Sequence, residues 1–193
     1  MKLNLITIAT IKAQLGITAS TYDSALTAII PIVSADVRRI LNNRFSKYYA
    51  AAFDSTSKNI DLSVYTYQRY ENGKGIGEPE IDVGTVVYNA NLPADTYIDS
   101  FDPITGLFTL SATPTGTGDH VYPSVSIAQW PTISKMVWYR YSTQSVNDAN
   151  VRGVASESFG PVSVSYSESE INKQYNYPQT LINDLGKPFA SVC

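Results

Sequence analysis

Apolar side chains recur at helical spacing towards both ends of the chain and at strand spacing between them. Ile8, Ile11 and Leu15 fall at i, i+3 and i+7, behind Thr7 as an oxygen-bearing cap and ahead of Gly16, which can take a left-handed stop. This predicts a helix over residues 8–15. So short a helix cannot stand alone. Ser20-Thr21-Tyr22-Asp23 then has capping-box spacing, and Leu26, Ile29, Ile30, Val33, Val37, Ile40 and Leu41 draw one apolar stripe along a long helix closed by Asn42-Asn43. Burying these side chains at ~1.5–3 kcal/mol each makes this helix the organiser of a core. Pro31 lies in its interior, removes one backbone hydrogen bond and is expected to kink or divide it.

From about Ser46 to Pro131 the period drops to two, with Gly, Pro, Asn and Asp as punctuation. Strands are predicted at 60–67, 81–88, 97–101, 107–110 and 121–130, with Val125, Ile127 and Ala128 facing inward in the last. Asp102-Pro103-Ile104-Thr105-Gly106 is a turn joining two of them, and the group reads as a small antiparallel sheet or hairpin array. Pro131-Thr132 opens a second helical stretch, 133–145. Ile133, Met136, Val137, Arg140 and Tyr141 share one side with Trp138 and Tyr139 beside them, so more than one face should be covered. Val162, Val164 and Tyr166 alternate with serines after Gly160-Pro161, a short strand. Tyr177-Pro178 starts a last helix with Pro at its first position; Leu181, Ile182 and Leu185 are its stripe, and Gly186 with Pro188 its stop. Residues 187–193 carry only Phe189 and Val192 as anchors and would be loose alone.

The whole is an α+β pattern: a small helical core, built of a long kinked helix and shorter ones, with an inserted antiparallel β region. Residues 1–45 and 131–186 form the core, 46–130 the β-rich insertion and 187–193 a tail. A length of 193 residues suits one large domain or one domain with an insertion.

Composition excludes more than it proposes. The one Cys, at position 193, cannot close an internal disulfide, and a single His removes most metal and triad chemistries. The opening residues do not read as a signal peptide, and the longest apolar run, 28–33, is far below the ~18 residues of a membrane span. The expectation is a soluble protein made in a reducing compartment. The net charge of −3 conceals a split, because residues 1–50 hold six cations against Asp23 and Asp36, a net of +4, and the remainder is −7. Only 16% of residues are charged, whereas 21 are Ser, 17 are Thr and 14 of the 22 aromatics are Tyr. A hydroxyl-rich, tyrosine-rich surface of this kind suits strands and interfaces.

The candidate chemistries are few. Gly73-Lys74-Gly75-Ile76-Gly77 could cradle a phosphate, but no Lys-Ser/Thr follows at the required spacing and Glu78-Pro79-Glu80 stands where a helix should begin. It reads as a loop tip. Asp119-His120 is the only acid beside the only imidazole, and it follows a Thr/Pro/Gly stretch that reads as an exposed loop. Glu78, Glu80 and Asp82 alternate along a strand start without a calcium-loop pattern. Arg38, Arg39, Arg44 and Lys47 gather at the C-terminal end of the long helix, where cations suit the macrodipole. The same cluster could instead meet an acidic neighbouring subunit, or DNA as part of a nucleic-acid-binding module. No catalytic residue, metal site or cofactor is assigned.

The order of elements carries a resemblance. A threonine, a short helix, Leu15-Gly16-Ile17, an acidic cap and a long helix closing in Asn42-Asn43-Arg44-Phe45 come first. Near the other end stand the stretch from Ser156 to Tyr166 and a Tyr177-Pro178-led helix. In this order the segments resemble the head-tail connector (adaptor) proteins of tailed bacteriophages, over residues 3–45 and 131–186. Residues 46–130 depart from the family pattern, which has a smaller β element there. The resemblance implies a non-catalytic virion protein, assembled in the host cytoplasm and placed at the capsid vertex or neck. It implies a ring, commonly dodecameric, whose partners are further copies of itself, the portal and a tail or neck protein. Genomic DNA would pass through without sequence-specific binding. It implies a portal grip by the C-terminal segment, with Tyr177, Leu181, Leu185 and Phe189 as candidates. Arg38, Arg39, Arg44, Trp138 and Tyr139 are the candidates for contacts between subunits.

Overall fold

The computed structural model describes residues 4–43, 45, 48–62, 81–146, 156–159, 162–165, 171–172 and 175–186. In chain order the elements are α1 (Ile8–Leu15), α2 (Asp23–Ile40), β1 (Tyr49–Phe53), β2 (Asn59–Ile60), β3 (Thr85–Tyr88), β4 (Ile98–Phe101), β5 (Phe108–Leu110), β6 (Gly118–Ser126), α3 (Trp130–Val146), β7 (Ser156–Phe159), β8 (Val162–Ser165), β9 (Ile171–Asn172), β10 (Tyr177–Pro178) and α4 (Gln179–Asp184). The fold is α+β, and it divides into two compact units. Met1–Leu41 joins Gln129–Pro188 in a helical unit, and Asn42–Ala128 makes up a β unit.

In the helical unit, α1 forms where its local signals put it. Thr7 is extended and its side chain accepts from the Thr10 amide, while Gly16 sits at φ 68° and the Ile17 amide closes back on the Lys12 carbonyl at 2.9 Å. All seven stripe residues of the long helix are buried, from Leu26 and Val33 at 0% exposure to Ile29 and Ile40 at 4%. The start of α2 differs from the capping-box expectation. Tyr22 occupies the cap without a capping hydrogen bond from its side chain, and the Ser20 carbonyl accepts from the Asp23 amide at 3.0 Å. The first turn is held instead from α1, by Lys12 and Asp23 at 2.8 Å. Pro31 does not divide α2, which runs unbroken through it with the ring on the exposed side.

α3 starts at Trp130, with Pro131 in the first turn where a missing amide costs little. It buries Ile133, Met136, Val137 and Tyr139 together with Thr132, Ser134 and Ser142, so two of its sides are covered. Towards the C-terminus β7 pairs with β8, and β9 with β10, each pair antiparallel. Pro178 ends β10 and stands at the cap of α4, one place before the expected first helical position, because its backbone is extended at ψ 136°. Gly186 stops α4 at φ 97°.

The β unit is more closed than a hairpin array. Its strands form two three-stranded antiparallel sheets, β1-β6-β3 and β2-β5-β4. Two bridges, Ala52 with Asp61 and Val86 with Tyr97, link β1 to β2 and β3 to β4, so pairing passes through the six described strands and returns to β1. The closure is hydrogen-bonded: the Ala52 and Asp61 amides each donate to the other's carbonyl at 2.8 Å, and the Val87 amide reaches Thr96 at 2.9 Å. Tyr49, Phe53, Ile60, Leu62, Ile81, Val87, Ile98, Phe108, Leu110 and Val121 fill the interior. A closed barrel satisfies edge strands that an open sheet would leave as sites of association.

Several strand boundaries move from their expected places. The 81–88 strand begins only at Thr85, because Asp82-Val83-Gly84 is a turn with Gly84 at φ 86°. The last strand starts earlier, at Gly118, and ends at Ser126; a 3-10 turn over Ile127–Gln129 then leaves Ala128 exposed, not inward. β1, with sequence Tyr-Ala-Ala-Ala-Phe, has no counterpart among the expected strands. Residues 63–67 of the expected 60–67 strand and Tyr166 of the serine-alternating strand lie outside the described residues.

Candidate functional site

The helical unit is tied together at one carboxylate. α2 carries Asp36 at the border of its buried stripe, where the side chain is 13% exposed. Its Oδ1 accepts from Arg39 Nη2 at 2.9 Å, one turn along the same helix. Its Oδ2 accepts from the Tyr177 hydroxyl at 2.9 Å and from Arg140 Nη1 of α3 at 3.3 Å. Arg39 also lies over the Tyr175 ring, 5.3 Å from its centroid. One carboxylate therefore holds α2, α3 and the approach to α4. The Tyr177 ring is 0% exposed and lies 6.0 Å from Tyr139. Burial first, and the Asp36 charge second, hold the Tyr177 hydroxyl well above the usual tyrosine range; burial alone raises Tyr139. The phenol stays protonated as a donor, and Arg140 Nε finds no acceptor among the described residues. The arrangement clamps chain segments and supplies no nucleophile at neutral pH.

The other sequence-derived candidates are spread out. Tyr177, Leu181 and Leu185 are 0%, 4% and 1% exposed, and the Leu185 carbonyl accepts from Gln129 Nε2 of the same unit. In this conformation these three serve the chain's own core; Phe189 lies outside the described residues. Arg38 is half-buried, Arg39 is 59% exposed and Tyr139 is buried, whereas Arg44 and Lys47 lie outside the described residues. Trp138 joins Tyr22 and Tyr141 in a half-buried aromatic group, with centroids 5.6 and 5.1 Å from it. Among the described candidates, Arg39 and Tyr177 meet at one group, Asp36.

His120 stands in β6, not in a loop. Its Nδ1 is 2.6 Å from Asp119 Oδ1, and the ring meets Tyr48 and Tyr122 edge-on at 5.5 and 5.4 Å. The His120 hydrogen bond is the largest influence lowering the Asp119 carboxyl, which is exposed. The Gly73–Gly77 stretch, Glu78 and Glu80 lie outside the described residues, and Asp82 accepts from the Val83 amide at 2.7 Å in the turn before β3. Sequence reasoning missed Asp36 as a hub and Tyr175 as the ring against Arg39. The one available signal was an acid set against the apolar stripe of α2.

Residues 5–100 match the family described as Phage gp6-like head-tail connector protein, from the approach to α1 into β4. The chain belongs to that head-tail connector family. No curated protein matches it. Of the two segments on which the sequence resemblance rests, 3–45 falls almost wholly in the matched range and 131–186 beyond it. The matched range also extends over 46–100, which the resemblance leaves aside.

Proposed function

We propose that the chain is a virion structural protein whose copies close a ring, commonly dodecameric in such connectors, between the portal and a tail or neck component. Genomic DNA would pass through the ring. The observation that carries the reading is the family match over residues 5–100. Charge supports it: residues 42–128 hold five cations and ten carboxylates, a net of −5, whereas 1–41 with 129–188 hold nine cations and seven carboxylates, a net of +2. An acidic wall does not retain a passing polyanion. The alternative is a nucleic-acid-binding module using the cationic end of α2, where Arg38 and Arg39 stand.

The chain would act by contact and not by catalysis. We assign the portal grip to the C-terminal segment, with a division of labour that follows from burial. Tyr177, Leu181 and Leu185 anchor the segment to its own subunit, and Phe189, beyond Gly186, enters the portal. Negative-stain imaging of the purified chain with and without portal tests the proposal, and rings are expected. DNA binding with a steep salt dependence, and no rings, would favour the nucleic-acid reading instead.

A further inference from the structure

The side of α2 opposite its buried stripe is unusual for a solvent-facing helix. Ser24, Thr27, Ala28, Pro31, Ile32 and Ala35 are all exposed, at spacings of three and four, and none is charged. An exposed helix face ordinarily carries charged side chains. Here short side chains flank Ile32, which is 39% exposed, and leave a shallow apolar strip. Cations come only at its end, with Arg38 and Arg39.

The β unit presents a shape of the opposite kind. At the tip of the β4–β5 hairpin Ile104 is 93% exposed, and near it Phe101, 43% exposed, lies 4.6 Å from Phe108. The tip is held in place. Asp102 Oδ1 accepts from the Ile104 amide at 2.9 Å, its Oδ2 from the Thr105 hydroxyl at 2.7 Å, and its carbonyl from the Gly106 amide at 2.8 Å. Gly106 supplies the positive φ, 72°, that this turn needs. A side chain displayed on a fixed turn loses little further entropy on contact. Residues 89–118 contain Asp95, Asp99 and Asp102 and no Lys or Arg, so the knob is apolar with an acidic surround.

We propose that the β4–β5 tip of one copy seats Ile104 on the exposed α2 strip of the next copy, with Asp99 and Asp102 facing the cationic end of that helix. The inference rests on the ring reading above and names the surfaces that would close it. A second copy is the occupant because the two surfaces are unlike, complementary in charge and present on every chain. Either surface paired with itself would oppose like charges. A contact between unlike faces repeats by rotation and can close a ring.

The test uses the full chain in a Cys193→Ser background. With Ala35→Cys and Ile104→Cys combined, oxidation should yield a ladder of linked oligomers on a non-reducing gel, and neither single variant should. Ile104→Asp, at an exposed site that leaves the circular dichroism unchanged, should raise the concentration for half-assembly about tenfold or more. Ala35→Glu should weaken assembly more than Ala35→Lys, although both are good helix formers. Rings that survive Ile104→Asp, or a link formed only within one chain, would overturn this contact and leave the ring reading standing. A wild-type chain that stays monomeric both alone and on portal would overturn both.

Discussion

Replacing Tyr177 by Phe removes one oxygen from the clamp and little else. The ring is 0% exposed and stays in place, so packing is conserved while the 2.9 Å bond to Asp36 is lost. A hydrogen bond to a charged acceptor contributes about 1.5–3 kcal/mol. Asp36 keeps Arg39 and Arg140, and at 13% exposure it can recover part of the loss from water, which places the expected cost near the low end, about 1.5 kcal/mol. Tyr177→Ala, which also empties the ring's site, should cost about 3–5 kcal/mol. The chain's two tryptophans, Trp130 and Trp138, both lie in the helical unit, so their fluorescence during urea unfolding follows that unit. At an m-value of about 1–3 kcal/mol/M, the Phe variant should lower the midpoint by roughly 0.5–1.5 M with the slope unchanged. A double-mutant cycle with Asp36→Asn should return a coupling of at least about 0.5 kcal/mol. An unchanged midpoint and no coupling would refute the claim that Asp36 holds the C-terminal segment.

The same clamp sets an alkaline limit. The folded chain holds the Tyr177 and Tyr139 hydroxyls above their unfolded range, so their stabilisation is complete below about pH 10 and declines as pH rises past it. Tyr177→Phe should flatten that decline without abolishing it, as read from unfolding midpoints between neutral and alkaline pH. In the barrel, a Cβ at Gly118 would run into the buried Phe53 ring, so Gly118→Ala should cost about 1–3 kcal/mol, read by thermal unfolding followed in the far ultraviolet. Removing residues after Gly186 should leave the helical unit folded and impair portal attachment, whereas cutting after Asn176 also strips Tyr177, Leu181 and Leu185 from the core and should unfold it. Attachment unchanged by the shorter truncation, in a pull-down on portal, would remove the assigned grip.

What could be read in the sequence was local. Thr7 and Gly16 bracket α1 to the residue because cap and stop act within one turn of the backbone. The α2 stripe is legible because burial on one side repeats at the helical period. The start of α2 was misjudged because its support comes from Lys12 on α1, which no capping pattern encodes. β1 went unseen because three consecutive alanines carry no strand preference, and its order comes from pairing with β6. Closure of the barrel through Ala52 and Asp61, and through Val86 and Tyr97, is a matter of tertiary pairing that periodicity cannot express. Asp36 left a faint trace beside the apolar stripe, yet its partners Arg140 and Tyr177 lie 104 and 141 residues away. Likewise, the stripe of Leu181 and Leu185 says that these side chains are covered, and not by what.

The central claim is that unlike faces of identical copies meet to close a ring at the head-tail junction. Native mass spectrometry of the purified chain, alone and mixed with portal, with the same samples imaged by negative stain, addresses it most directly. The account predicts a closed assembly of one defined copy number that forms alone or on the portal and falls apart in the Ile104→Asp variant. A chain that remains monomeric in both samples would contradict it.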